Sequence, residues 1–219
     1  MNEKMKRLLL QFRNLLIVGF PTIILIAASR AESFQASLGL KLHQGQTDLT
    51  TLATDTVTSY SGPGYLGEIT FHLYDSDLAK KTGSKLDVQP GINIFFFGGS
   101  TKENSTANAI GDIKSNQIVG AGADLRLRRF FIGSFAQSNN STITTSSATT
   151  NFSYTTFGIR SGFEFSVSSP EDSTKLQLGA LYEIGRSPVT PIGSWHISST
   201  SLFVGINFRL WKGVNASGK

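Results

Sequence analysis

The sequence predicts an all-β chain in which eight alternating strands close into an antiparallel up-and-down barrel. Three observations carry this reading. Apolar residues recur at every second position in eight separate segments, no apolar run after residue 31 is long enough for a spanning helix, and long polar connections alternate with tight ones. The chain of 219 residues holds no Cys, so a disulfide scaffold, a thiolate metal site and a Cys nucleophile are all excluded.

The first 31 residues have a separate logic. Basic residues from Lys4 to Arg13 precede an apolar run from Leu15 to Ala28, and the small residues Ser29 and Ala31 then stand two apart. That order reads as a signal peptide cut after Ala31, giving a division into 1–31 signal peptide and 32–219 barrel domain. The apolar run is shorter than the ~20 residues a helix needs to span a bilayer. This segment also carries most of the formal net charge of +5, with five basic residues against Glu3. What remains is close to neutral, so no nucleic-acid partner is expected. Export without Cys fits a bacterial envelope.

The strands follow in order. Residues 33–44 alternate Ala36, Leu38, Leu40 and Leu42 with Ser37, Gly39, Lys41 and His43. Residues 65–74 alternate Tyr65, Gly67, Ile69, Phe71 and Leu73 with Glu68, Thr70 and His72. Residues 85–97 place Leu86, Val88, Ile92, Ile94 and Phe96 on one face, with Pro90 marking an irregular pairing. Residues 118–128 alternate Val119, Ala121, Ala123, Leu125 and Leu127 with Asp124, Arg126 and Arg128. Residues 130–138 follow almost without a connection, and their facing is ambiguous. The last three segments are 152–166, with Phe157, Ile159, Phe163 and Phe165 opposite Arg160 and Glu164; 175–185, with Leu176, Leu178, Tyr182 and Ile184 opposite Gln177 and Glu183; and 199–210, with Leu202, Val204, Ile206, Phe208 and Leu210 opposite Asn207 and Arg209. Residues 45–64, 98–117 and 139–151 read as long Ser/Thr/Asn-rich loops and 186–196 as a shorter one, all on one rim. Tighter links lie near 75–84, Arg129 and 167–173. Long loops on one rim and short turns on the other are the pattern of a barrel that spans an outer membrane.

The polar face decides between a transmembrane and a soluble barrel. A soluble barrel turns Lys and Glu to water, whereas this face is mostly Gly, Ser, Gln and Asn with isolated charges in mid-strand. The charges are Lys41, Arg126, Arg128, Arg160 and Arg209 against Glu68, Asp87, Asp124, Glu164 and Glu183. Equal numbers of each sign suit a narrow interior in which opposite charges pair, because an unpaired buried charge is costly. Eight strands enclose only enough room for their own inward side chains. The expectation is therefore a plugged transmembrane β-barrel with a barrel-interior charge network of those ten residues.

A signal peptide, eight alternating strands, polar loops on one rim and a closing Gly205-Ile206-Asn207-Phe208-Arg209-Leu210 together resemble the small bacterial outer-membrane barrels typified by OmpX and the OmpA transmembrane domain. That resemblance implies insertion by the barrel assembly machinery and a surface role. The function expected is a non-enzymatic integral outer-membrane barrel with a structural or adhesive role. Its expected partners are outer-membrane lipid, lipopolysaccharide and an extracellular ligand at the loops, and its expected state is a monomer in a Gram-negative outer membrane.

Two alternatives remain open. His196-Ile197-Ser198 resembles the His-x-Ser pair of the lipid A 3-O-deacylases, in which histidine serves as base to a serine nucleophile. Both residues share the parity of Leu202, but no acidic residue follows Glu183 in the sequence to orient the histidine. The preferred reading puts Trp195 and His196 in the interfacial aromatic belt, along with Tyr65, Tyr74 and Trp211. A narrow solute channel is the other alternative. With no phosphate-binding loop, His-rich cluster or dinucleotide fingerprint in the sequence, no cofactor and no metal is expected.

Overall fold

A computed structural model describes residues 33–74, 91–107, 112–144, 149–167, 174–188 and 194–214. They form β1 (Ser33–Thr51), β2 (Val57–Tyr74), β3 (Gly91–Ala107), β4 (Asp112–Leu127), β5 (Phe130–Thr144), β6 (Thr149–Ser166), β7 (Thr174–Arg186) and β8 (Trp195–Val214). Each strand pairs antiparallel with its neighbour in sequence, and β1 also pairs with β8, so the sheet closes into a barrel. Closure leaves neither terminal strand with an unpaired edge, which a chain buried in hydrocarbon cannot tolerate. The signal segment, Asp87 and Pro90 lie outside the described residues.

The wall is apolar outside and polar inside. Leu40, Leu42, Tyr65, Phe96, Val119, Phe157, Phe163, Leu202 and Phe208 are all exposed, while Lys41, Glu68, Asp124, Arg160 and Glu164 are buried. That inversion of a soluble protein is what a transmembrane β-barrel requires. Among the described residues no helix is long and apolar enough to cross a membrane.

The structure corrects the expected long loops. The Ser/Thr/Asn tracts assigned to 45–64, 98–117 and 139–151 instead continue the strands: β1 runs on to Thr51, β2 begins at Val57, β3 reaches Ala107, β4 begins at Asp112, β5 runs to Thr144 and β6 begins at Thr149, while of the described residues in 186–196 only Arg186, Trp195 and His196 join strands. Between β1 and β2 only residues 52–56 remain as a turn. The physical reason is that the ladder hydrogen bonds come from the backbone and are indifferent to side-chain polarity. The period of two also persists in these tracts, with Leu49, Tyr60, Ile143 and Phe152 turned inward and Asp48, Ser59, Thr142 and Ser153 on the opposite face. Above the apolar belt the barrel therefore continues as a tube with a polar outer wall. We call that end upper, and the end with the chain termini lower.

The facing of β5, undecided in the sequence, is set by glycine on the next strand. Phe131 and Phe135 point inward and lie over their direct cross-strand partners Gly162 and Gly158. The same pairing recurs for Phe95 with Gly122 and Phe97 with Gly120 between β3 and β4, and for Phe203 with Gly179 between β8 and β7. A Cβ at Gly162 would stand 2.7 Å from the Phe131 ring, and one at Gly122 2.5 Å from that of Phe95. Each glycine is thus a notch into which a ring lies flat, filling a narrow lumen without pushing the strands apart.

Candidate functional sites in the lumen and on the upper outer wall

Inward side chains build the lumen in layers. In the lowest, His72 Nδ1 lies 2.6 Å from Asn93 Oδ1 and its Nε2 lies 3.2 Å from Ser37 Oγ. Beside it Glu164 receives Arg126 at 2.7 Å, Lys175 at 3.2 Å and a hydrogen bond from Gln177 Nε2 at 2.8 Å. One step higher, Lys41 Nζ meets Glu68 Oε2 at 2.6 Å and Thr70 donates to the other Glu68 oxygen at 2.9 Å. Arg160 bridges the layer. It pairs with Glu68 through Nη1 and with Asp124 through both Nε and Nη2, while its guanidinium carbon sits 3.2 Å from the Phe95 ring centroid and 5.7 Å from that of Phe131. Delocalised charge stacked on aromatic faces and forked onto a carboxylate uses the guanidinium fully, which lysine could not do.

Of the ten charges expected inside, Lys41, Glu68, Asp124, Arg126, Arg160 and Glu164 come together in these two layers. Arg209 stands half-buried near the lower mouth, where it acts electrostatically on Lys175. Arg128 does not enter the lumen. It is exposed in the two-residue β4–β5 turn with φ 59°, because the chain must reverse there and the alternation of β4 ends at Leu127. Glu183 lies in a higher layer and takes a hydrogen bond from Thr156 at 2.5 Å. The network also contains Lys175, which the sequence reading passed over even though it shares the parity of Gln177 and Glu183 on β7.

Leu66, Phe95, Phe97, Ile118 and Phe135 form an apolar shelf above the ion pairs. Above the shelf lies a polar chamber lined by His43, Thr47, Thr101, Glu103, Gln137, Thr156, Glu183 and Ser199 among others. The lumen is then roofed by Leu49, Tyr60, Ile113, Ile143, Phe152, Tyr154, Trp195 and Ile197. Trp195 is 0% exposed and packs on Phe152 with ring centroids 5.6 Å apart. It is therefore a roof residue and not a member of an interfacial belt, because β8 starts at Trp195 and its parity turns inward. Tyr65 is exposed on the belt face, and the side chains of Tyr74 and Trp211 lie outside the described set.

On the outer wall above the belt, His196 is exposed and Ser198 half-buried, two residues apart on one face of β8. Barrel closure sets β1 beside them, with Asp48 paired to Ser198 and Thr50 to His196. Asp48 Oδ1 accepts from Ser59 Oγ at 2.7 Å and from Gln46 Nε2 at 3.1 Å. An acid, a histidine and a serine thus share one patch of wall. Sequence reasoning missed Asp48 because about 150 residues separate it from Ser198, and only the order of pairing joins them.

No protein-family model matches the chain, and no curated protein sequence matches it. Among solved structures it is similar to the Neisserial surface protein A, NspA, at 14% identity and TM-score 0.48, over 80% of this chain and 99% of that one. It is also similar to Ail, the attachment invasion locus protein of Yersinia pestis, at 11% identity and TM-score 0.44 over 80% and 99% of the two chains. A third is the N-terminal β-barrel domain of Pseudomonas aeruginosa OprF, at 11% identity and TM-score 0.36 over 78% and 97%. In architecture the chain resembles the small eight-stranded outer-membrane barrels.

Proposed function

We propose that this chain is a non-enzymatic outer-membrane barrel of a Gram-negative bacterium that works through its projecting upper wall, with the lumen closed to solutes. In this reading the barrel assembly machinery inserts the exported chain after its leader is removed, the apolar belt holds it among phospholipid and lipopolysaccharide, and the tube above the belt meets extracellular partners. The observation that carries it is the filling of the lumen: ion pairs, an aromatic shelf and an apolar roof succeed one another along the axis. The test shortens the β5–β6 hairpin symmetrically by removing 141–152 and joining the strands with a two-residue turn. Retained heat-modifiable mobility with loss of cell or matrix adhesion supports the reading. Adhesion that is unchanged, or discrete conductance of the intact protein in planar bilayers, overturns it.

A second reading has one specific observation in its favour. The register opposite β1 supplies the acid that the His196/Ser198 pair lacks in sequence, on a face adjoining surface lipid. Here Ser198 would attack an acyl ester, His196 would take its proton and Asp48 would orient the histidine. Mass spectrometry of lipid A from cells carrying the intact chain or Ser198→Ala decides it. An acyl chain missing only with the intact chain supports hydrolysis, and identical spectra remove it.

A further inference from the structure

We propose that a groove on the outer wall of β2–β5 holds an anionic sugar of the lipopolysaccharide around the barrel, an inference that rests on the outer-membrane reading above. The groove has a volume of 450 Å³, in the size range of small-molecule sites, and Tyr65, Ser100, Ser115, Gln117, Ser138 and Asn140 are among its lining. Strand pairing sets four of them at one height: Tyr65 opposite Ser100, Ser100 opposite Gln117, and Gln117 opposite Asn140. The Tyr65 ring is 57% exposed at one side, Gln117 and Asn140 are exposed at the other, and the short serines leave a trough between them.

A second observation points to a ligand. Elsewhere on the upper outer wall polar side chains satisfy one another: Thr142 donates to Asn151 at 2.8 Å, and Asp48 accepts from Ser59 at 2.7 Å and from Gln46 at 3.1 Å. In the groove, Ser100, Ser115, Gln117, Ser138 and Asn140 form no side-chain hydrogen bond among the described residues, so five polar groups share one trough with their hydrogen-bonding capacity open. The chemistry is that of a sugar. Its C–H face lies on an aromatic ring, and its hydroxyls, each donor and acceptor, match carboxamides and serines that are also both. The lining itself carries no charge, but Lys102 is exposed two residues above Ser100 on the same face of β3 and forms no ion pair among the described residues. It supplies a point charge for a phosphate or carboxylate on the sugar. Height selects the source. Tyr65 and Val119, the latter 63% exposed, belong to both the groove and the upper edge of the apolar belt. The groove therefore opens where hydrocarbon gives way to headgroups, beside the charged sugars that adjoin the lipid anchor.

The test uses the full chain folded in a zwitterionic detergent and measures saturable binding of purified short-core lipopolysaccharide by calorimetry. Tyr65→Leu keeps the belt apolar but removes the ring, and should weaken binding about tenfold. Gln117→Ala with Asn140→Ala should do the same, and makes the comparison should the Tyr65 variant fail to fold. Lys102→Gln should weaken binding about threefold at low salt and less at high salt. Arg186→Gln, exposed on β7 across the barrel, should bind as the parent does. No saturable binding by the parent, equal binding by the groove variants, equal loss in Arg186→Gln, or equally tight binding of an anionic phospholipid that lacks sugar would each overturn the proposal. Outer-membrane fractionation with heat-modifiable mobility keeps the two readings apart: a chain absent from outer membranes overturns the location, whereas a folded, inserted chain without groove binding overturns the sugar site alone.

Discussion

The two halves of the lumen solve one packing problem in opposite ways. Below the aromatic shelf, four cations and three carboxylates interlock so that each acid meets at least one base: Lys41 and Arg160 on Glu68, Arg160 on Asp124, and Arg126 and Lys175 on Glu164. Above it, Glu103 and Glu183 have hydroxyl and amide partners, no Lys or Arg among the described residues lines the chamber, and an apolar roof shuts the space. The lower half sits within the apolar belt, where an unpaired charge has no route to water. The upper half begins at the top of the belt, where Glu183 stands between the exposed Tyr182 and Ile184, and runs on to Glu103, which stands between the exposed Lys102 and Asn104. The difference teaches that a narrow barrel can hold its inward acids either against bases, as below the shelf, or among hydroxyl and amide donors, as above it.

Breaking the lower half should have the largest effect. Arg160→Met leaves Asp124 without its base and Glu68 with Lys41 alone, and is expected to cost about 3–5 kcal/mol, read as a fall in the denaturant midpoint of the folded barrel. Adding Asp124→Asn and Glu68→Gln should restore much of that loss, because the unpaired charges go with their partner. The glycine notches come next. Gly162→Ala puts a Cβ against both the Leu178 carbonyl oxygen and the Phe131 ring and should destabilise by about 1–3 kcal/mol. Phe131→Leu in the same chain should recover part of it, and a double-mutant cycle measures that coupling.

The upper half should respond to pH through Glu103. Burial raises the pKa of Glu103 above the usual carboxylate range, so its carboxyl is favoured in the protonated form in the folded chain. Its contribution to stability is therefore fully present below the unfolded pKa and is lost as pH rises through the folded one. In cation-free buffer, thermal midpoints should fall across that window by an amount on the order of 1 kcal/mol, and Glu103→Gln should flatten the curve. A parent profile no steeper than that of Glu103→Gln would remove Glu103 as its source. The smallest effect is expected at Arg128, outside both. With φ 59°, Arg128→Gly relieves a left-handed backbone and should stabilise by less than about 1 kcal/mol, seen as a slightly higher midpoint.

Much of the wall was legible residue by residue, since alternation fixes which side chains share a face. Leu38, Leu40 and Leu42 against Lys41, or Leu202, Val204 and Ile206 against Asn207, could be sorted without coordinates. Strand ends could not. The upper extensions carry so few apolar residues that Leu49, Tyr60 and Ile143 looked isolated within polar tracts, and the backbone ladder that joins them leaves no mark in composition. Trp195 was misplaced for the same reason: the strand was taken to begin at Ser199, although the parity that sets His196 and Ser198 with Leu202 turns Trp195 inward.

What the sequence by itself determined is the architecture: eight period-two segments, one face apolar and one carrying Gly, Ser, Gln and sparse charge, admit few arrangements other than a closed barrel with lipid outside. The tertiary structure alone decided the neighbours. Whether Arg160 meets Asp124, whether Glu103 and Glu183 share a chamber, and whether Asp48 stands opposite Ser198 all depend on register and closure. Those are set by the summed pairing of all eight strands, and a period of two specifies facing without specifying height along the barrel.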